Sequence, residues 1–101
     1  MKIAINRCFG GFSVAEGVYN ELDLEWNGYG YLCNEDFDIE SENYNEWRSA
    51  PRLIAAIEKL GEEVSSGSCA AIEVVDIPDG IEWFIDEYDG QESIHEEHRS
   101  W

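Results

Sequence analysis

The chain has 101 residues, enough for one domain, and its 44% hydrophobic content with four Trp, five Tyr and four Phe exceeds what disordered chains carry, so a packed core is expected. Its 23 acidic residues against six Lys and Arg give a formal charge of −17, which disfavours direct binding to nucleic acid or to an anionic membrane. No apolar run reaches the roughly 20 residues of a membrane span and no signal peptide is readable, so a cytoplasmic setting is expected.

In chain order, Lys2-Ile3-Ala4-Ile5-Asn6 alternates polar and apolar residues and predicts an opening strand. Gly10-Gly11 breaks the chain. Ser13 and Glu16 form an S-x-x-E capping box ahead of Val14, Val18 and Leu22, which predicts a helix from about 14 to 22. Residues 23–48 form an irregular acidic excursion, with Trp26, Tyr29, Tyr31, Phe37, Tyr44 and Trp47 expected to tie it to the body. Ser49 as N-cap, Pro51 in the first turn and the stripe Leu53, Ile54, Ile57, Leu60 before Gly61 predict a second helix. After a loop at 65–68, strands are expected at 69–77, 81–88 and 91 to about 97, with Asp89-Gly90 as a type I′ hairpin turn. The order β-α-loop-α-β-β-β implies an α+β fold, a small and mostly antiparallel sheet with two helices packed on one face.

The charge is unevenly placed. Between Arg7 and Arg48 there are ten acidic residues and no Lys or Arg, and between Lys59 and Arg99 there are twelve, again with none. Such tracts steer a protein toward positive surfaces over about 8 to 10 Å in physiological salt. The magnitude also exceeds the 2 to 8 that roughly suffices for solubility. The acids expected to meet a partner are Glu35, Asp36, Asp38, Glu40 and Glu42 in the excursion and Asp86, Glu87 and Asp89 near the hairpin. Alternate residues of a strand, such as Glu82, Phe84 and Asp86, would stand in a row about 6.6 Å apart.

Other constellations compete with that reading. Arg7, Gly10 and Gly11, at a strand-to-helix junction, together with Arg99 offer a site for a phosphorylated metabolite or signalling nucleotide, although the pattern matches no phosphate-binding fingerprint. His95 and His98 among Glu92, Glu96 and Glu97 offer metal ligands for a hydrolase, but their spacing is not that of H-E-x-x-H, and a charged strand edge accounts for them. Cys8, Cys33 and Cys69 are widely spaced and odd in number, which fits reduced, buried thiols. No catalytic residue, metal site or cofactor is assigned.

With Lys2 to Phe12 (KIAINRCFGGF) at the front, Ile77 to Trp83 (IPDGIEW), Tyr88-Asp89-Gly90 and the final His98-Arg99-Ser100-Trp101, the chain resembles a group of small phage and prophage proteins. The resemblance covers both ends and not the acidic middle, and it carries no catalytic residues. It implies an infected bacterial cytoplasm, where small acidic proteins inhibit host defence nucleases by resembling nucleic acid. The resulting expectation is a non-enzymatic inhibitor of the anti-CRISPR or anti-restriction kind. Its partner would be a basic nucleic-acid-binding protein or complex of the host.

Overall fold

A computed structural model describes residues 1–96 and 100–101. The expected opening strand is β1, Lys2–Asn6, and it is buried from Ile3 to Asn6. A strand buried on both sides needs cover on both sides, and its alternation supplies two separate contacts. Ala4 joins a large cluster with Val14, Val18, Leu22, Leu53, Ile57 and Ile72, whereas Ile3 and Ile5 join a smaller one with Ile77 and Ile94. β1 is thus the wall between two cores.

The remaining elements are α1 (Glu16–Glu21), a 3₁₀ turn at Asn34–Phe37, another at Glu46–Ser49, α2 (Pro51–Leu60), α3 (Glu62–Ser65), β2 (Ile72–Asp76), β3 (Phe84–Tyr88) and β4 (Gln91–His95). The fold is α+β in the expected order. Its antiparallel pairing is divided between two ladders, β1 with β2 and β3 with β4. The helices take the Ala4 side of the first ladder, and the β3–β4 hairpin supplies Ile94 and Ile85 to the Ile3 and Ile5 side.

Several boundaries move for identifiable reasons. The capping box at Ser13 does not form: Ser13 Oγ donates to the Ser68 carbonyl at 3.2 Å, and Val14 pairs with Ser66 as an isolated bridge. Backbone bonds from Val14 N to Gly30 O and from Ala15 N to Ser65 O hold this segment extended, so α1 starts at Glu16. Ser49 is not the N-cap of α2 either. It closes the preceding 3₁₀ turn by donating to the Glu46 carbonyl at 2.8 Å, which leaves Ala50 as the cap and Pro51 at the start of the helix.

The single turn α3 was not expected, and Gly61, at φ 91°, redirects the chain into it. β2 starts at Ile72 rather than at 69 because Cys69 has a left-handed φ of 62°. β3 starts at Phe84, since Ile81 and Trp83 pack against the smaller core instead of extending the ladder. Asp89 and Gly90 both have positive φ, 50° and 87°, as the I′ turn requires. The last expected strand residue, Glu97, lies outside the described residues, as do His98 and Arg99.

One ion pair joins the two sides of β1. Arg48 Nη1 and Nη2 donate to Glu92 Oε1 and Oε2 at 2.7 and 2.9 Å, and both side chains are buried. Arg48 Nη1 also donates to the Ala4 carbonyl at 3.3 Å, while the Asn6 amide donates to Glu92 Oε1 at 2.8 Å. The guanidinium lies over Phe12 and Trp47, 4.0 and 4.6 Å from the ring centroids. Removing one member strands the other charge, whereas replacing both with apolar groups does not. Arg48→Met is therefore expected to lower stability by about 3–5 kcal/mol in urea unfolding, and adding Glu92→Leu is expected to recover a substantial part of that loss.

Gly30 fixes the excursion against the body. It has φ 84°, and a Cβ there would collide with the Val14 backbone; Gly28 has φ 86° with open space around it. Both Gly→Ala changes carry left-handed strain of roughly 1 kcal/mol. Gly30→Ala should cost distinctly more, and paired thermal unfolding of the two variants measures the difference.

Candidate functional site

The electrostatics follow from how the few cations are spent. Lys2 Nζ reaches Glu58 at 2.6 Å, Arg7 Nε reaches Glu73 at 2.5 Å, Lys59 Nζ reaches Glu21 at 3.0 Å, and Arg48 is matched by Glu92. Arg52 donates to the Leu22 carbonyl at 2.9 Å and lies 5.9 Å over the Phe37 ring. The N-terminal amine sits between Asp79 and Asp76, and hydrogen bonding to Asp79 leads the causes that raise its pKa. None of these cations pairs with the eight acids singled out from the sequence.

Those eight divide into two sets. Glu35, Asp38, Glu40 and Glu42 are exposed on and just after the first 3₁₀ turn, and Asp36 is half-buried. Phe37 stacks on Trp47 at 6.3 Å, and Trp47 N donates to Asn34 Oδ1 at 2.9 Å, so the turn is fastened to the core beside Arg48. The second set, Asp86, Glu87 and Asp89, is exposed on the β3–β4 hairpin. The sets sit on separate elements. The first is tethered through Trp47, the neighbour of Arg48, and the second belongs to the hairpin whose β4 carries Glu92.

The pleat sorts the hairpin acids. Glu87 pairs with Glu92 and shares its face with Ile85 and Ile94, while Phe84, Asp86 and Tyr88 stand opposite His95, Ser93 and Gln91 on the other face. Of the expected row of Glu82, Phe84 and Asp86, the last two share this face with Tyr88, and Glu82 lies ahead of the strand. Phe84 stacks on His95 at 5.6 Å. Two of the acids also have a backbone reason to be Asp: Asp38 and Asp89 have φ of 56° and 50°, where a short polar side chain is tolerated best.

Aromatic side chains accompany both sets. Trp26, Phe37 and Trp47 pack as expected, with Trp26 edge-on to Tyr19 at 5.0 Å. Tyr29, Tyr31 and Tyr44 do not tie the excursion down: they are exposed, as are Phe9, Phe84 and Tyr88. Tyr29 and Tyr31 stack on each other at 6.0 Å, and Phe9 meets Tyr88 edge-on.

The residues of the ligand reading are occupied within the fold. A cleft of about 310 Å³ holds Arg7, but Asp86, Glu87, Tyr88, Gln91 and Ser93 line it too. Arg7 is already matched by Glu73, and the Gly10 amide donates to the Asp89 carbonyl at 3.0 Å. Gly10 and Gly11 pack against the Asp89-Gly90 turn, with α1 beginning five residues further on, so they do not open a helix. Arg99 lies outside the described residues.

Of the metal reading, His95 accepts or donates hydrogen bonds with Ser93 Oγ at 2.7 Å and Ser100 Oγ at 2.8 Å, and His98 lies outside the described residues. Among the described residues no group of three or more His, Cys, Asp or Glu is arranged to hold a metal. All three cysteines are free thiols, and the expectation of burial fails for Cys33 and Cys69, which are exposed; Cys8 is half-buried.

A feature missed from the sequence is a second cleft, of about 470 Å³, that Tyr19, Leu24, Glu25, Tyr31, Leu32 and Asp36 line among others. The Tyr19 hydroxyl donates to the Tyr31 carbonyl, and Asn27 Nδ2 donates to the Tyr19 oxygen at 2.9 Å. The signal in the sequence was Asn27 before Gly28, since its Oδ1 accepts the Tyr29 and Gly30 amides at 2.8 and 2.9 Å as an Asx turn. Burial first, and the nearby Asp36 charge second, raise the Tyr19 pKa above the ordinary tyrosine range.

No family model matches the chain, and no curated protein or solved structure shows significant similarity to it. Among the described residues no helix is long and apolar enough to cross a membrane.

A group that holds its proton more tightly when folded stabilises the fold below its unfolded pKa and ceases to do so as pH rises through the folded one. Tyr19 should therefore hold its proton at neutral pH and release it above the ordinary value near 10. NMR titration of the Tyr19 ring should follow this release, with stability falling over the same interval.

Proposed function

We propose that the protein is a non-enzymatic binding domain whose acidic, aromatic-studded surface occupies the basic nucleic-acid groove of a partner protein. The observation that carries this reading is the allocation of charge. Lys2, Arg7, Arg48, Arg52 and Lys59 are all engaged by internal partners, while Glu35, Asp36, Asp38, Glu40, Glu42, Asp86, Glu87 and Asp89 make no ion pair among the described residues. Exposed carboxylates in place of phosphates, with exposed Tyr29, Tyr31, Tyr44, Phe84 and Tyr88 in place of bases, supply the two kinds of contact that such a groove offers.

In this reading the setting is the infected bacterial cytoplasm that a resemblance of the chain's two ends to small phage and prophage proteins would imply, and the partner is a defence complex of the CRISPR or restriction kind. Long-range attraction raises the association rate, and the aromatic side chains contribute the short-range specificity.

Affinity capture from a bacterial lysate, read by mass spectrometry, tests the reading. Basic nucleic-acid-binding proteins should be enriched at low salt, displaced by added DNA, and depleted when Glu35, Asp38, Glu40 and Glu42 are changed together to their amides. Capture that ignores salt, DNA and these substitutions alike would refute it.

A further inference from the structure

The cleft between the Asn27 turn and the first 3₁₀ turn has features that an acidic surface alone does not require. Leu24, Leu32 and the rings of Tyr19 and Tyr31 give it apolar and aromatic lining, and Glu25 and Asp36 give it carboxylates, with no cation among its lining residues. Its shape is held in advance. Tyr19 and Asn27 both bond the Tyr31 carbonyl, Trp26 supports Tyr19 edge-on, and Gly30 locks the turn against Val14.

Asp36 Oδ2 accepts the Cys33 amide at 2.8 Å, which orients the carboxylate, while its Oδ1 and the Glu25 carboxylate make no hydrogen bond among the described residues. Because Tyr19 keeps its proton, the hydroxyl does not add a third negative charge.

An occupant must therefore combine an apolar stem with a cationic head. An anion is repelled, and a purely apolar group would desolvate two carboxylates without compensation. Arginine meets the requirement better than lysine, since its planar guanidinium both stacks on an aromatic ring and presents paired donors to a carboxylate. We propose that this cleft receives an arginine side chain of a basic partner protein, with the guanidinium on Tyr31 and Asp36 and the stem along Leu24 and Leu32. The choice of a protein as the source of the arginine rests on the function proposed above.

The test is an NMR titration of isotope-labelled protein with acetyl-Gly-Arg-Gly-amide and, separately, with its lysine counterpart at low salt. Shifts should concentrate at Tyr19, Tyr31, Cys33 and Asp36, and the arginine peptide should bind more tightly. Asp36→Asn retains an oxygen for the Cys33 amide, and Tyr31→Ala changes an exposed side chain; each should weaken binding about tenfold. Glu63→Gln, an exposed acid on α3 that belongs to neither acid set and does not line the cleft, should leave it unchanged.

Absence of arginine-peptide binding would overturn the proposal. So would shifts spread over both acid sets with equal sensitivity to all three substitutions, although that pattern would leave the acidic-surface reading standing. Cleft-specific binding without capture of any basic protein would have the reverse meaning: the cleft takes a guanidinium, and the groove-mimic reading fails.

Discussion

The architecture depends on the buried contact between Arg48 and Glu92. Arg48 closes the acidic excursion, and Glu92 stands on β4, 44 positions later. Through the Ala4 carbonyl and the Asn6 amide the pair is also fastened to β1, the wall between the two cores. A buried ion pair of this sort adds little net stability over an apolar replacement. Its effect here is to define position: a hairpin displaced along β1 would leave a carboxylate and a guanidinium unmatched in the interior.

The same constraint explains the surface. The chain has six Lys and Arg for its 23 acids, and a buried carboxylate cannot remain ionised without a partner. Burying Arg48 with Glu92, and using Arg7, Lys2 and Lys59 at the seams between elements, leaves the first 3₁₀ turn and its following segment, and the hairpin acids Asp86, Glu87 and Asp89, uncompensated by an ion pair. Self-repulsion among them opposes compaction, so the aromatic fastening of the excursion, Phe37 on Trp47 and Trp26 on Tyr19, acts against a real electrostatic load.

Much of this was legible in the sequence where local pattern and tertiary demand agree. Lys2–Asn6, the stripe of Leu53, Ile54 and Ile57, and the Asp89-Gly90 turn are each specified by periodicity or by a turn residue that the final structure uses in the expected way. The failures have a common cause. Ser13 and Ser49 are good caps, but Ser13 is drawn to the Ser68 carbonyl and Ser49 to Glu46, and a one-residue signal cannot register such competitors.

The candidate surface was legible as a charge imbalance and not as a geometry. Which acids are free depends on which ones the cations select from a distance of tens of residues, as Arg7 selects Glu73 and Lys2 selects Glu58. The clefts were invisible because their walls meet only through tertiary contacts such as Gly30 against Val14.

A net charge of −17 would attract a basic partner even if it were carried on an unstructured tail, so charge alone does not account for a fold of this kind. What the fold adds is preorganisation. Ordering a flexible acidic segment at the moment of binding costs free energy that must come out of the affinity, and a segment already fixed avoids much of that cost. The excursion is long, irregular and highly charged, the properties that favour disorder, yet it is held by Asn34 on Trp47, by Asp36 on the Cys33 amide and by the Asn27 turn. Spending asparagines, aromatic rings and a positive-φ glycine to fix the backbone that carries acids doing nothing for the core is intelligible if their relative placement matters to something outside the molecule. A coat that served solubility alone would not need the backbone that carries it held in place.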